Sequence, residues 1–231
     1  MDMELISTYV KNLDRELGGG IPKGHIILIS GTPGTYKSSL AFNIVYHSSK
    51  EGMGAIYTLL EQSRDSLLLQ MGRMGYDIRD SALSELHIAD LGKIRQALSG
   101  VEPKSWDKGF RGYVESLVEE HLPEILVIDS LPVLEILSYF KNRREYLFHL
   151  FSWLKSLQLT TILVNEKPSI TSPFGDEDFL ADGILQTALK PIGTSDLQRQ
   201  IRCIKLRAMN HNTSWFALEF RDGGFRIAPA I

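Results

Sequence analysis

Apolar residues along the first two thirds of the chain form short continuous runs that alternate with longer stretches of helical spacing. Residues 26–30 are a run of the first kind, which predicts a strand buried on both faces. Residues 38–50 follow with apolar positions grouped on one side, which predicts a helix. By the same criteria we predict strands at residues 55–60, 86–89, 125–129 and 160–164, and helices at residues 64–74, 110–120 and 141–157.

The pattern changes after residue 166. Residues 167–182 contain proline and glycine and predict a loop, in which the acidic run Asp176-Glu177-Asp178 is interpreted as solvated. Strands are predicted at residues 184–189, 199–207, 215–220 and 225–227, with Asp222-Gly223-Gly224 as a hairpin turn. This order predicts an α/β fold whose mostly parallel twisted sheet is flanked by helices and carries a C-terminal antiparallel extension. Residues 92–110 are polar and are interpreted as an irregular insertion.

Length and composition narrow the class of protein. The 231 residues suit one large domain, and we predict a single domain over residues 1–231. A net charge of −3 gives no global basic field for nucleic acid, and the single cysteine, Cys203, excludes a disulfide framework. The chain shows neither a signal-peptide pattern nor an uninterrupted apolar stretch of about 18 residues, so we expect a cytoplasmic protein without membrane insertion.

The segment between the first long strand and the first long helix carries a phosphate-binding pattern. It reads Gly31-Thr32-Pro33-Gly34-Thr35-Tyr36-Lys37-Ser38 and fits G-x-x-x-x-G-K-[S/T], except that Tyr36 occupies the last glycine position. Backbone N–H groups of such a loop and the positive end of the following helix attract phosphate, while Lys37 would reach the β- and γ-phosphates. The candidate ATP-binding residues are Gly31, Thr32, Pro33, Gly34, Thr35, Tyr36, Lys37, Ser38 and Ser39.

Acidic residues follow the predicted strands at the same edge of the sheet. Asp129 ends an apolar strand and, with the Ser38 hydroxyl, is a candidate Mg²⁺ ligand. Glu61 follows the second long strand and is a candidate to orient or deprotonate the attacking water. Asn165 and Glu166 end the fifth strand as candidates to sense the γ-phosphate, although a plain loop start fits them nearly as well.

Several segments, in order along nearly the whole chain, resemble the KaiC-like branch of the RecA superfamily of ATPases. They are the lead-in Leu13-Asp14-Arg15-Glu16-Leu17-Gly18-Gly19-Gly20-Ile21-Pro22-Lys23-Gly24, the glutamate strand Tyr57-Thr58-Leu59-Leu60-Glu61-Gln62-Ser63, the metal strand Val127-Ile128-Asp129-Ser130-Leu131, the late segment Phe179-Leu180-Ala181-Asp182-Gly183-Ile184, and Lys205-Leu206-Arg207 with His211.

The resemblance implies a RecA-type P-loop NTPase core, ATP with Mg²⁺, and a homo-oligomeric ring, usually of six subunits, with nucleotide between neighbours. Lys205 and Arg207 would complete the catalytic site of the adjacent subunit, as an arginine finger does. A regulatory or signalling role with a further protein partner, not identified by the sequence, is also implied.

Departures from the family pattern keep two alternatives open. The family often has two adjacent glutamates where this chain has Leu60-Glu61, which together with Tyr36 is compatible with a nucleotide-gated scaffold of little turnover. A recombinase-like DNA-binding ATPase is the other alternative. The basic cluster Lys141, Arg143 and Arg144 would provide its DNA contacts, but the acidic net charge disfavours DNA binding.

Overall fold

Strands and helices alternate along the computed structural model of the chain, which describes residues 3–97, 100, 102, 105–169, 171 and 174–230. The strands are β1 (Leu5–Ile6), β2 (Val10–Lys11), β3 (Ile21–Pro22), β4 (Ile26–Gly31), β5 (Ala55–Leu59), β6 (Leu86–Asp90), β7 (Ile125–Asp129), β8 (Thr160–Glu166), β9 (Gly183–Ile192), β10 (Asp196–Leu206), β11 (Phe216–Arg221) and β12 (Gly224–Pro229). The helices are α1 (Leu13–Glu16), α2 (Lys37–Lys50), α3 (Arg64–Arg73), α4 (Leu91–Ala97), α5 (Trp106–His121), α6 (Leu131–Leu137), α7 (Arg143–Ser156) and α8 (Asp176–Leu180).

One large sheet dominates the described residues, in the order β2-β12-β11-β10-β9-β4-β8-β7-β5-β6. The strands from β9 to β6 run parallel to one another, whereas β9, β10, β11 and β12 pair antiparallel. The predicted α/β architecture with a C-terminal antiparallel extension is therefore confirmed. The predicted hairpin is also present, because Asp222 and Gly223 both have positive φ and connect the paired Arg221 and Gly224.

Apolar residues fill both faces of this sheet, as the continuous runs predict. One core packs α2 and α3 against residues such as Ile27, Ile29 and Tyr57. The other core packs α5, α6 and α7 against the opposite face, which includes Ile26 and Leu28 of β4. Strands buried on both faces leave only their ends open to solvent, so polar functional residues are expected at the ends of the strands.

Two predicted loop assignments differ from the structure, and one helix was not predicted. Residues 92–110 are not wholly irregular, because α4 lies over residues 91–97 and α5 begins at Trp106; residues 98, 99, 101, 103 and 104 of this segment lie outside the described residues. The helix α6 directly after β7 was not predicted, because its apolar residues continue the apolar run of the strand. The helix α8 lies within the predicted loop 167–182, of which residues 170, 172 and 173 are not described.

Candidate functional site

The phosphate loop connects β4 to α2, as predicted. Its interior is held by Thr35, whose buried hydroxyl lies 2.7 Å from both the Thr32 carbonyl oxygen and the Thr187 hydroxyl. Gly31 ends β4 so close to β9 that a Cβ atom there would overlap the carbonyl and hydroxyl oxygens of Thr187. Gly34 has φ near +77°, a conformation that glycine adopts without strain. The loop is therefore fixed in shape by its own hydroxyl and by contact with β9.

Tyr36 satisfies the backbone geometry of the glycine position that it occupies. Its φ is 69°, in the left-handed region, and α2 begins at the next residue. Its ring turns to the side of the loop, where it meets Phe225 edge-on at 5.5 Å between ring centroids. The guanidinium carbon of Arg199 lies 4.3 Å from the centre of the same ring. The structure thus directs the tyrosine side chain onto neighbouring strands.

Lys37 lies at the start of α2 with its side chain 6% exposed. Its ammonium donates to the Thr32 carbonyl oxygen at 3.0 Å and to Glu166 Oε1 at 3.3 Å. Glu166 therefore reaches the phosphate loop. Its neighbour Asn165 is buried and instead donates to Ser30 Oγ at 3.4 Å and to Glu177 Oε1 at 3.2 Å.

Asp129 ends β7 at the same edge, 4% exposed. Burial raises the pKa of its carboxyl group, and hydrogen bonds from Tyr57 and Ser38 act in the opposite direction. The Tyr57 hydroxyl donates to Asp129 Oδ2 at 2.8 Å. A buried carboxylate beside a serine hydroxyl is a set of oxygen donors suited to a hard cation such as Mg²⁺. The residues present therefore fit the predicted metal, although the described residues contain no group of three or more histidine, cysteine or acidic side chains that could by itself hold an ion.

Glu61 follows β5 and lies beside Asp129. The backbone N–H of Leu60 donates to the Asp129 carbonyl oxygen at 2.7 Å, which joins the ends of β5 and β7. Ser130 Oγ donates to Glu61 Oε1, so the residue after the metal-strand aspartate orients the glutamate.

These side chains face one cavity of about 340 Å³. Its lining residues are Pro33, Gly34, Thr35, Tyr36, Lys37, Ser38, Ser39, Glu61, Asp129, Ser130, Val164, Glu166 and Arg199. Most of the predicted binding and metal residues thus lie together with the predicted catalytic glutamate.

Lys205 and Arg207 lie near the opposite ends of the sheet strands from the phosphate loop of their own chain. In the strand register, Leu206 is level with Gly183 and through it with Ile27 of β4, whereas the phosphate loop begins at Gly31. At about 3.3 Å per residue, four residues correspond to roughly 13 Å along the strands. Within one chain these two residues do not join the cavity.

The prediction that the acidic run at residues 176–178 is solvated is wrong. Glu177 and Asp178 are buried rather than solvated, and Lys167 Nζ contacts their carboxylates at 2.7 and 2.8 Å. Arg143 adds a contact of 2.9 Å to Glu177. Burial opposes ionisation, but these partners outweigh it and lower the pKa of Glu177 to about 2.

The predicted basic cluster is largely paired with acids. Arg143 binds Glu135 at 2.8 Å as well as Glu177, and Arg144 lies 3.8 Å from Asp176. Lys141 is exposed. This surface therefore lacks the concentrated positive charge that nucleic-acid binding requires.

Sequence reasoning missed Arg199, Tyr57 and Ser130 as site residues. Arg199 lies far along the chain from the phosphate loop, but it donates through Nε to the Gly34 carbonyl oxygen at 2.9 Å because β10 passes beside the loop. Tyr57 looks like an ordinary apolar position of a buried strand. Signals were available for Ser130, which directly follows the predicted metal ligand, and for Tyr57, which begins the segment that resembles the family's glutamate strand.

The fold and the loop define a P-loop NTPase with a RecA-type core. A protein-family model described as "ATPase: KaiC" matches residues 6–230, and the chain belongs to this family. In the part of the chain that the structure describes, no helix is long and apolar enough to cross a membrane.

Relatives of two lengths match the chain. A UPF0273 protein of Aeropyrum pernix is 25% identical over 236 residues, covering 98% of this chain and 94% of the relative. The circadian clock oscillator protein KaiC of a Picosynechococcus species is 25% identical over 240 residues, and the match covers 98% of this chain and 45% of that protein. The crystal structure of a KaiC-like protein from Pyrococcus horikoshii OT3 superposes with a TM-score of 0.83 at 24% identity, covering 99% of this chain and 100% of that one. That structure supports the fold, and the family supports ATP binding.

Proposed function

We propose that this chain binds ATP with Mg²⁺, hydrolyses it, and assembles as a homo-oligomeric ring, of six subunits, in the cytoplasm. The observation that carries the proposal is the convergence of Lys37, Ser38, Asp129 and Glu61 on one cavity at the carboxyl edge of the sheet. The phosphate loop and Arg199 give this cavity a basic wall, and the carboxylates give it an acidic one. Such a division suits a nucleoside triphosphate that is bound through a divalent cation.

The phosphate loop and Lys37 are the proposed phosphate-binding groups. The N–H groups at the start of α2 and the lysine ammonium attract the β- and γ-phosphates. The contact of Lys37 with Glu166 supports this role, because the ammonium already reaches an anionic oxygen at this position. Arg199 supplies a second cation on the same wall of the cavity as the phosphate loop, held there by its contacts with the Tyr36 ring and the Gly34 carbonyl oxygen.

Ser38 and Asp129 would hold the metal ion, Asp129 through a water molecule. Bound Mg²⁺ neutralises charge on the phosphate oxygens. Tyr57 keeps the Asp129 carboxylate in place by its hydrogen bond, and also lies 3.3 Å from the Ser38 carbonyl oxygen. One tyrosine thereby fixes both proposed metal-binding residues relative to each other.

Glu61 is the proposed general base. Ser130 occupies its Oε1 atom, which leaves Oε2 to accept a hydrogen bond from the attacking water. In a ring, Lys205 and Arg207 of the neighbouring subunit would approach the γ-phosphate and stabilise the charge that develops there.

Turnover by matched variants tests this assignment. We expect Glu61→Gln to bind ATP but to release phosphate about 10²- to 10⁴-fold more slowly, the usual contribution of a general base. Lys37→Ala should lose ATP binding itself. Glu119→Gln, at an exposed position of α5, is the control that should leave both properties unchanged. Wild-type turnover in the Glu61→Gln variant would refute the role of Glu61.

A nucleotide-gated scaffold with little turnover is the second candidate function. It is favoured by Leu60, which is 1% exposed and packs into the core where the family often has a second glutamate. Tyr36 does not favour it, because its ring packs on Phe225 and Arg199 at the side of the loop. Tight ATP binding with phosphate release no faster than in Lys37→Ala would establish this second function in place of the first.

A further inference from the structure

The segment Ala181-Asp182-Gly183 leads from the end of α8 into the first residue of β9 and has no part in the nucleotide cavity. Ala181 is fully buried, and Gly183 lies so close to β4 and β10 that a Cβ atom would come within 2.6 Å of Ile27 and 2.9 Å of Leu206. The glycine and alanine therefore let three strands and a helix meet tightly. Between them, Asp182 places a carboxylate, 7% exposed, at this junction.

Asp182 joins β4 to two cations. Its Oδ2 atom accepts the backbone N–H of Ile26 at 2.9 Å and also contacts Lys155 Nζ from α7. Its Oδ1 atom lies 3.0 Å from NH1 of Arg207. Burial opposes ionisation of Asp182, but these donors outweigh it and lower the pKa of the carboxyl group. The carboxylate is therefore ionised at neutral pH and holds Arg207 by charge.

Further contacts fix Arg207 from its other side. Its NH2 group donates to the Phe179 carbonyl oxygen at 3.2 Å, and its backbone N–H donates to the Asp182 carbonyl oxygen at 2.8 Å. Lys205 shares this support, because its ammonium donates to the carbonyl oxygens of Asp178 and Phe179, both at 3.1 Å. Despite these contacts, the Arg207 side chain is 52% exposed.

The strand that carries these cations is bent at this point. The pairing of β10 with β9 shifts between Cys203 and Lys205, which is the mark of a β-bulge. Cys203 and Leu206 both pack into the core on the α2 face. Without the extra residue, simple alternation would direct Cys203, Lys205 and Arg207 to the same face. The bulge therefore turns both cations away from that core.

We infer that Asp182 is a positioning residue, which orients Arg207 for action on the nucleotide of a neighbouring subunit. Two of the five guanidinium donors are engaged by Asp182 and Phe179, so the plane of the group is fixed while its remaining edge faces solvent. Lys155, on the same carboxylate, keeps Asp182 in place from behind. This inference rests on the proposed action of Arg207 across the subunit interface.

The test combines kinetics with mixed assemblies. In Asp182→Asn the amide oxygen can still accept the Ile26 N–H, but the charge that holds Arg207 is lost. We expect kcat for ATP hydrolysis to fall between about tenfold and hundredfold, the effect of a displaced catalytic group, with little change in KM. Glu119→Gln, a carboxylate-to-amide change at an exposed position of α5, is the control, and its kcat should stay within about twofold of wild type.

Mixing identifies the site on which Asp182 acts. Subunits with Glu61→Gln have an inactive nucleotide site but a correctly placed Arg207. Subunits with Asp182→Asn have an intact Glu61 but a displaced Arg207. Mixed rings should therefore be more active than either variant alone. A merely structural role of Asp182 within its own chain would give no such restoration, and that result would overturn the inference.

Two further variants keep the outcomes distinct. If Arg207→Ala hydrolyses ATP as fast as wild type, the proposed action across the interface is wrong. If Arg207→Ala is impaired but Asp182→Asn is not, only the positioning role is wrong. Should Asp182→Asn fail to fold, Arg207→Lys serves instead, because lysine cannot make both contacts of the guanidinium; an unimpaired Arg207→Lys variant would also overturn the inference.

Discussion

Tyr36 shows how a single residue can depart from a sequence pattern without altering the backbone that the pattern specifies. A left-handed conformation costs a non-glycine residue roughly 1–2 kcal/mol. The edge-on contact with Phe225 and the stacking of Arg199 together stabilise by a similar amount, about 1–2.5 kcal/mol. The backbone strain at Tyr36 is therefore offset by its side chain, a platform that holds the Arg199 guanidinium at the rim of the cavity.

Replacing this platform should weaken ligand binding with only a small net effect on stability. Tyr36→Gly relieves the backbone but frees Arg199, so we expect the free energy of unfolding to change by less than about 1 kcal/mol. Loss of the cation–π contact, about 0.5–1 kcal/mol, should weaken ATP binding roughly two- to fivefold in calorimetric titration. Tyr36→Phe keeps the ring and is the control. Equal affinities for the glycine and phenylalanine variants would contradict a role for the ring in holding Arg199.

At the scale of elements, the ion cluster of Glu177 connects α8 with α7 and with the end of β8. Arg143 contributes from the first turn of α7, and Lys167 follows β8 directly. Asn165, one residue before the glutamate that contacts the phosphate-loop lysine, also donates to Glu177. Packing of α8 is thereby coupled by hydrogen bonds to the strand that borders the nucleotide cavity.

Breaking this cluster should destabilise the fold in a manner that depends on pH. In Glu177→Gln, Lys167 keeps Asp178 as a partner and Arg143 keeps Glu135. We therefore expect the free energy of unfolding to fall by roughly 2–4 kcal/mol near neutral pH, which is towards the low end for breaking a buried ion pair. The folded-state pKa of Glu177, about 2, lies below the ordinary value of 4.5. Its contribution is therefore complete above pH 4.5 and is lost as the pH falls towards 2.

Urea unfolding at a series of pH values measures this difference. The gap between wild type and Glu177→Gln should narrow as the pH is lowered from about 6 to about 3, whereas Glu119→Gln should track the wild type throughout. A gap that stays constant over that range would mean that the charge of Glu177 contributes nothing to stability.

How far the sequence predicts an element depends on whether its signal is local. The strand 26–30, the phosphate loop and Asp129 follow from adjacent residues, and the structure has them where predicted. The solvated interpretation of the acidic run at 176–178 is wrong because its burial depends on Lys167 and Arg143, which no spacing rule connects to it. Arg199 escapes prediction for the same reason: its place at the cavity depends on the pairing of β10 with β9.

At the scale of the whole molecule, the phosphate loop and Arg207, which together form the proposed catalytic site, lie at opposite ends of the strands of one sheet. The phosphate loop follows the carboxyl end of β4, whereas Arg207 is level with its amino-terminal half. The sheet between them is buried on both faces, and within one chain Arg207 lies outside the nucleotide cavity. If both act on one nucleotide, the partner must be a second copy arranged head to tail, which generates a ring when the rotation closes.

Nucleotide should therefore control assembly. With ATP between subunits, binding contributes to the interface, so we expect the mass in solution to rise from monomer towards a hexamer when ATP and Mg²⁺ are added. Glu61→Gln should retain the assembled form longest, because it keeps the triphosphate intact. Lys37→Ala should remain at the mass of the nucleotide-free protein, and Arg207→Ala should need more ATP to assemble. Light scattering during size-exclusion chromatography measures each species, and a wild-type protein that binds ATP yet stays monomeric would exclude the intersubunit site.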